Sequence, residues 1–154
     1  DTVTGSLDRI DIRGRDGLVL KDKWSDGPKT YLGMGSFGFP NLFTVVGPHN
    51  GATFCNIPRC IEQNVEWVSD CIKYLTENEI SRIEVNQDAE DEWTDHVQEV
   101  VKGTLFPEAD SWFMGANIPG KKRQMYLYAG GSPLYRERCD NVAANNYEGY
   151  TLVK

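Results

Sequence analysis

Leu42-Phe43-Thr44-Val45-Val46 is closed by Gly47-Pro48 and followed, after a glycine-rich loop from His49 to Ile57, by Pro58 and the repeat Ile61, Val65, Val68, Ile72, Leu75; this stretch decides the fold class. Five residues that are nearly all apolar predict a strand buried on both faces, as in a parallel sheet. Pro58 stands where a helix would have its first residue. The repeat, with Trp67 and Cys71 beside it, draws one apolar stripe over about five helical turns. Strand, loop and long helix in succession give an α/β reading. They place the loop Gly47 to Pro58 at the carboxyl end of a sheet, where open α/β folds bind ligands. The helix aims its unpaired N–H groups and about half a positive charge at that point.

Outward from this unit the elements are shorter. Arg9-Ile10-Asp11-Ile12-Arg13 alternates, Gly14-Arg15-Asp16-Gly17 supplies a turn and Leu18-Val19-Leu20 returns, which predicts an exposed hairpin. A Gly/Pro/Ser-rich passage spans Trp24 to Pro40. Beyond the long helix, Ile80 to Val85 alternates as a strand. Asn86 then caps a second predicted helix with Asp88 and Glu90 in its first turn and a buried stripe of Ala89, Trp93, Val97 and Val100 or Val101. From Gly103 the chain is irregular and rich in Gly, Pro and large aromatics, a composition that often lines a site. A strand Met125-Tyr126-Leu127-Tyr128 ends at Gly130-Gly131, and Pro133 opens a last helix toward Asn145. With no repeat or linker to divide it, the chain reads as a single unit over 1–154.

The 154 residues carry 16 Lys+Arg against 23 Asp+Glu, a net charge of -7, with 40% hydrophobic residues. Those proportions are globular and argue against disorder. An acidic balance without a Lys/Arg stripe argues against nucleic acid as a partner. No apolar run approaches the ~20 residues that span a bilayer, and the start DTVTGSLDRID has neither the cationic nor the apolar region of a signal peptide. Cys55, Cys60, Cys71 and Cys139 show none of the paired spacings of a zinc or redox site, and there is no N-x-Ser/Thr sequon. The expectation is four reduced thiols in a cytoplasmic protein without membrane partners.

Several motifs invite a sharper reading. Gly33-Met34-Gly35-Ser36-Phe37-Gly38 matches G-x-G-x-x-G by letter, but Pro40 restrains the residue before it from helical angles, so no helix starts where the pyrophosphate needs one. It reads as a glycine-rich turn. His49 and His96 have no Ser, Cys or carboxylate at catalytic spacing, and His49 with Cys55 and Cys60 makes no recognised metal set. No catalytic proton-transfer or nucleophilic residue and no metal ligand is assigned. The run Asp88 to Glu92 reads as a solvated helix start. Trp112, ahead of the cationic cluster Lys121-Lys122-Arg123, can stack on a ring beside groups that hold a phosphate; a core tryptophan next to a solvated turn explains it equally well.

Taken in order, Phe39-Pro40-Asn41-Leu42-Phe43 with Gly47-Pro48, Asn56-Ile57-Pro58 with Ile61-Glu62-Gln63 and Val65-Glu66-Trp67-Val68, Ser111-Trp112 with Gly115-Ala116-Asn117-Ile118-Pro119-Gly120-Lys121, and Gly130-Gly131 resemble the C-terminal portion of a Baeyer-Villiger monooxygenase of the cyclohexanone and phenylacetone monooxygenase type. The resemblance runs from about Arg9 to Tyr150 and implies the C-terminal segment of a discontinuous, Rossmann-like FAD-binding domain with an added hairpin and helices. It implies that Leu42 to Val46 is a strand of the FAD sheet, and that Gly47, Pro48, Asn56 and Ile57 lie near the isoalloxazine ring. It further implies that Trp112 meets the NADP cofactor, with Lys121 as a nearby contact, and that Phe54, Cys55, Ile57, Met125 and Leu127 line the substrate pocket.

The family's FAD and NADP fingerprints do not occur in this chain. The resemblance therefore implies a partner, the remaining N-terminal part of the same enzyme, and predicts no activity for the 154 residues alone. The activity it implies is FAD- and NADPH-dependent insertion of one oxygen atom of O2 into a ketone, giving an ester or lactone. The residues also allow a noncatalytic acidic α/β module that binds a nucleotide or protein through the Gly47 to Pro58 loop, and part of a related flavin monooxygenase that oxidises nitrogen or sulfur.

Overall fold

The computed structural model describes residues 3–154, and its chain order is α1 (Leu20–Lys23), α2 (Ile57–Glu77), β1 (Arg82–Val85), α3 (Gln87–Val101), α4 (Ser132–Ala144) and β2 (Tyr150–Val153), with 3-10 turns at Leu7–Arg9, Arg15–Gly17, Gly51–Phe54, Phe106–Glu108 and Trp112–Met114. Asp1 and Thr2, on which the reading of the chain's start partly rests, lie outside the described residues. Among the described residues no helix is long and apolar enough to cross a membrane.

The long helix forms where the periodicity places it, with Pro58 as its second residue. The face that it buries overlaps the repeat only in part: Val68 and Leu75 pack against the core beside Trp67 and Cys71. Cys60, Asn64, Trp67 and Cys71 are inside, whereas Ile61, Val65 and Ile72 are 40%, 45% and 52% exposed. At ~100° per residue the two sets lie about a quarter-turn apart, so α2 carries two adjoining apolar faces and packs only one. The packed face meets α4. Trp67 Nε1 donates to the Cys139 carbonyl at 2.8 Å, Asn64 Nδ2 donates to Tyr135 Oη at 3.1 Å, and Tyr135 Oη donates to the Leu32 carbonyl at 2.7 Å. The last helix, predicted from Pro133 toward Asn145, contributes Tyr135, Cys139 and Val142 to the same core.

Leu42–Val46 is not a strand. Asn41 and Val46, at its two ends, both take left-handed backbone angles, with φ of 58° and 51°. Its amides also go to unrelated acceptors: Asn41 N to the Ile83 carbonyl at 2.9 Å, Thr44 N to Met34 at 2.8 Å, and Val46 N to Asn64 Oδ1 at 2.9 Å. No ladder can form on such a pattern. The segment is half-buried rather than enclosed, and Val45 is exposed. The sheet of the described residues is instead a two-stranded antiparallel one, β1 with β2, in the register Arg82↔Val153 to Val85↔Tyr150. The α/β class stands, but the expected parallel sheet is not among the described residues.

Three smaller differences have equally local causes. The N-terminal hairpin shrinks to the single bridge Arg13↔Val19, because Leu20 already begins α1 and the turn itself is a 3-10 turn through Asp16 at φ 58°. Met125–Tyr128 belongs to no strand and bends at Leu127; Tyr126 N bonds the Phe113 carbonyl and Tyr128 N bonds that of Asn50, so it is threaded between two loops. Glu90, read as part of a solvated run, is buried. Its carboxylate pairs with Lys23 Nζ at 2.8 Å and accepts from Phe37 N, while Lys23 Nζ donates to the Phe37 carbonyl, so one ion pair grips both polar groups of a single peptide residue. Burial raises the Glu90 carboxyl and lowers the Lys23 ammonium against their mutual attraction. The glycine-rich segment is held as a turn, Tyr31↔Gly35, with no helix after Gly38.

Candidate functional site

The loop between Val46 and α2 divides into a packed inner half and an open outer half. Asn50 organises the inner half: its side chain accepts from Ala52 N at 2.7 Å and donates to the Gly47 carbonyl, while its own carbonyl accepts from Tyr128 N at 2.9 Å. His49 N donates to the Tyr126 carbonyl at 2.9 Å, and Thr30 Oγ1 lies 3.1 Å from His49 Nδ1 and 3.4 Å from the Pro48 carbonyl oxygen. His49 is wholly buried, which pushes its imidazole down to about 3 and leaves it neutral at ordinary pH. Gly51 packs against α4 so closely that a Cβ would stand 2.6 Å from the Tyr135 ring. His49 is thus a neutral residue of the core.

The outer half faces away from that core. Phe54 is 60% exposed, and Asn56 and Ile57 are exposed. Asn56 occupies the N-cap position of α2 without a side-chain capping bond, and Pro58 has no N–H. The first turn therefore offers the N–H groups of Ile57 and Arg59, at the positive end of a 21-residue helix, to an acceptor outside the helix. Gly47 is half-buried and Pro48 buried at the other end of the loop; a Cβ on Gly47 would meet Thr44 Oγ1 at 2.6 Å.

Phe54 leads by ring contacts to a second predicted site residue. Its ring lies 6.1 Å from Phe106, Phe106 lies 5.3 Å from Phe113, and Phe113 lies 4.2 Å from Trp112, which is itself exposed. Ser111 caps the short turn that presents Trp112, accepting from Phe113 N at 3.2 Å. Phe106 and Phe113 were not singled out in the sequence; only the aromatic density after Gly103 pointed to them. Lys121 lies with its Nζ 4.2 Å above the Tyr126 ring, and burial lowers its ammonium. Arg123 of the same cationic cluster is committed to Asp110 at 2.8 Å and to the carbonyls of Pro107 and Ala109.

The remaining predicted residues sit elsewhere. Met125 is fully buried, its N–H and carbonyl both bonded to the Gln98 side chain at 2.9 and 2.8 Å, and Leu127 is buried in the same core. Cys55 is joined to Cys60 by a disulfide, so the expectation of four reduced thiols is corrected; Cys71 and Cys139 are free and buried. The two cysteines, five residues apart in the chain at the loop–helix junction, have their Cα atoms 6.5 Å apart. Among the described residues no cluster of His, Cys, Asp and Glu is placed to hold a metal ion.

No protein-family model matches the chain. Over 99% of its length it is 45% identical to cyclohexanone 1,2-monooxygenase of Acinetobacter sp and 46% identical to 2-oxo-Delta(3)-4,5,5-trimethylcyclopentenylacetyl-CoA monooxygenase of Pseudomonas putida, and it is 40% identical to a phenazine N-monooxygenase of Lysobacter antibioticus. It spans 28%, 29% and 28% of the length of these relatives. Among solved structures it superposes on cyclohexanone monooxygenase from Rhodococcus sp. Phi1 bound to NADP+ with a TM-score of 0.94 at 44% identity, covering 99% of this chain and 28% of that one. Against OTEMO in complex with FAD and NADP the TM-score is 0.91 at 47% identity, covering 98% of this chain and 27% of that one.

Proposed function

We propose, on the premise that the chain is homologous over nearly its whole length to Baeyer-Villiger monooxygenases, that it is one wall of an FAD- and NADPH-dependent monooxygenase whose other walls are supplied by the remaining N-terminal part of the same protein. The observation that carries this reading is the open start of α2: exposed, uncapped, and joined by Phe54 and two further aromatic rings to the exposed Trp112. The N–H groups of Ile57 and Arg59 would receive an electron-rich ring edge there and would favour negative charge on it. FAD, when bound, supplies the oxygen chemistry and NADPH the reducing equivalents.

Gly47, Pro48, Asn56 and Ile57 would hold the flavin ring edge, and Trp112 with Lys121 would contact NADP. Phe54, Cys55 and Ile57 present apolar surface to a ketone, whereas Met125 and Leu127 act from behind, as buried support for the loop that the pocket uses. None of these groups transfers a proton or attacks a carbonyl, so this chain positions and excludes water. Leu42–Val46 is tied to the packed face of α2 through the Val46–Asn64 bond, while Ile61, Val65 and Ile72 on the adjoining face stay uncovered among the described residues, a surface for the rest of the protein to cover.

The 40% identity to a phenazine N-monooxygenase supports a second reading, oxidation of nitrogen instead of insertion beside a carbonyl. Product analysis separates the two. The full-length protein, loaded with FAD and given NADPH and O2, should consume NADPH faster with a cyclic ketone and yield the lactone. Amine or thioether oxidation with no lactone would favour the second reading, and the 154 residues alone should turn over neither.

A further inference from the structure

The four cysteines fall into two chemically different pairs. Cys71 and Cys139 are buried in the core, and desolvation pushes each thiol up to about 12, far from reactive. Cys55 and Cys60 are bonded to each other across the junction between the Gly51–Phe54 turn and the first turn of α2. Both line a cavity of about 130 Å3 together with Arg59, Arg136, Gln63, Ser132 and Tyr135. Arg59 and Arg136 share this lining with the cysteine pair at the positive end of α2, Arg136 lying 4.0 Å from Glu66 and 3.9 Å from Asp140; the thiolate, not the thiol, is the nucleophilic form in disulfide exchange.

We propose that Cys55 and Cys60 are a reversible thiol–disulfide site that fixes or frees the Phe54 wall of the pocket; the coupling to the pocket rests on the proposed function, the redox chemistry does not. Cys55 directly follows Phe54, and Cys60 is anchored in α2 with its Sγ 3.9 Å from the Gly51 carbonyl oxygen, so the bond ties the outer half of the loop to the helix. In a reducing compartment such a pair is a sensor more often than a staple. The co-reactant is a low-molecular-weight disulfide of the glutathione class. The thiolate of half-buried Cys55 attacks one of its sulfurs, the S–S bond of the small disulfide breaks, and one thiolate leaves. Cys60 thiolate then attacks Cys55 sulfur in the mixed disulfide and expels the second. The protein pair is oxidised by two electrons, the small disulfide is reduced to two thiols, and the two cysteine protons end on them. Excess small thiol runs the sequence backward.

The test uses the full-length, FAD-loaded protein equilibrated over a range of reduced to oxidised glutathione, then alkylated in denaturant and digested with trypsin. Cleavage after Arg59 leaves Cys55 and Cys60 on different peptides that stay linked only if the disulfide is present. The expected result is a linked fraction that rises with oxidation and falls with reduction, faster amide exchange over residues 51–55 in the reduced protein, and a shift of the ketone KM with little change in kcat. Cys55→Ser and Cys60→Ser should each show the reduced exchange pattern and KM at every poise. A pair that stays in one state across the range, or loop exchange equal in both states, overturns the proposal. Equal KM in both states overturns the coupling to the pocket. If the pair and the loop respond but no condition gives ketone-dependent NADPH oxidation, the switch stands and the proposed function falls.

Discussion

Two buried side chains show how single residues set the framework of the site. Lys23 and Glu90 satisfy each other and both polar groups of Phe37, so removing one leaves the other as an uncompensated buried charge. Glu90→Ala should cost about 3–5 kcal/mol, and replacing the pair together by Lys23→Met and Glu90→Leu should cost less than either single change, as a double-mutant cycle in urea would measure. Additive losses would mean that the pair is not coupled. His49 predicts a pH dependence. Its folded value is about 3 against an ordinary 6.5, so between those values the unfolded chain binds a proton that the folded chain refuses. The stability tied to it is complete above pH 6.5 and is lost as pH falls toward 3, amounting to about 3 kcal/mol between pH 7 and 4. Denaturation curves over that range should fall more steeply for the native protein than for His49→Gln, and parallel curves would contradict the assignment.

At the scale of elements, α2 carries the clearest lesson about what periodicity encodes. Its apolar stripe was fully legible, but a stripe says that a surface is to be covered, not by what. Part of the apolar surface of α2 is packed and part stays open: Val68 and Leu75 of the stripe lie against the core, whereas Ile61, Val65 and Ile72 are exposed. Leu42–Val46 was misread for the same reason: strand composition does not provide a neighbouring strand, and left-handed Asn41 and Val46 end the segment after five residues. β2 was missed because Tyr150–Val153 is too short to alternate convincingly, and Glu90 because its partner lies 67 residues earlier in the chain. The loop and its proline were legible; the exposure of Trp112, which the residue types left open against a core position, and the aromatic path to it depend on tertiary packing. If the open face of α2 is an internal surface of the full-length protein, Val65→Asp should destabilise that protein by several kcal/mol, while the nearby exposed Glu62→Ala stays within about 0.5 kcal/mol. Equal, small effects in guanidinium titrations would show that Val65 faces water in the whole protein too.

For the whole molecule, one geometric relation connects fold and function: a helix start left open by its own sequence, beside an aromatic path to Trp112, on a body whose apolar surface is incompletely covered. The chain spans 28% of the length of the cyclohexanone monooxygenases that it matches. The most direct measurement is a crystal structure of the full-length protein loaded with FAD. The account predicts the isoalloxazine ring edge against Gly47, Pro48, Asn56 and Ile57, within hydrogen-bond reach of the first-turn N–H groups of α2, and a protein layer over Val65 and Ile72. A flavin bound elsewhere, with the start of α2 open to solvent or filled by protein, would contradict it.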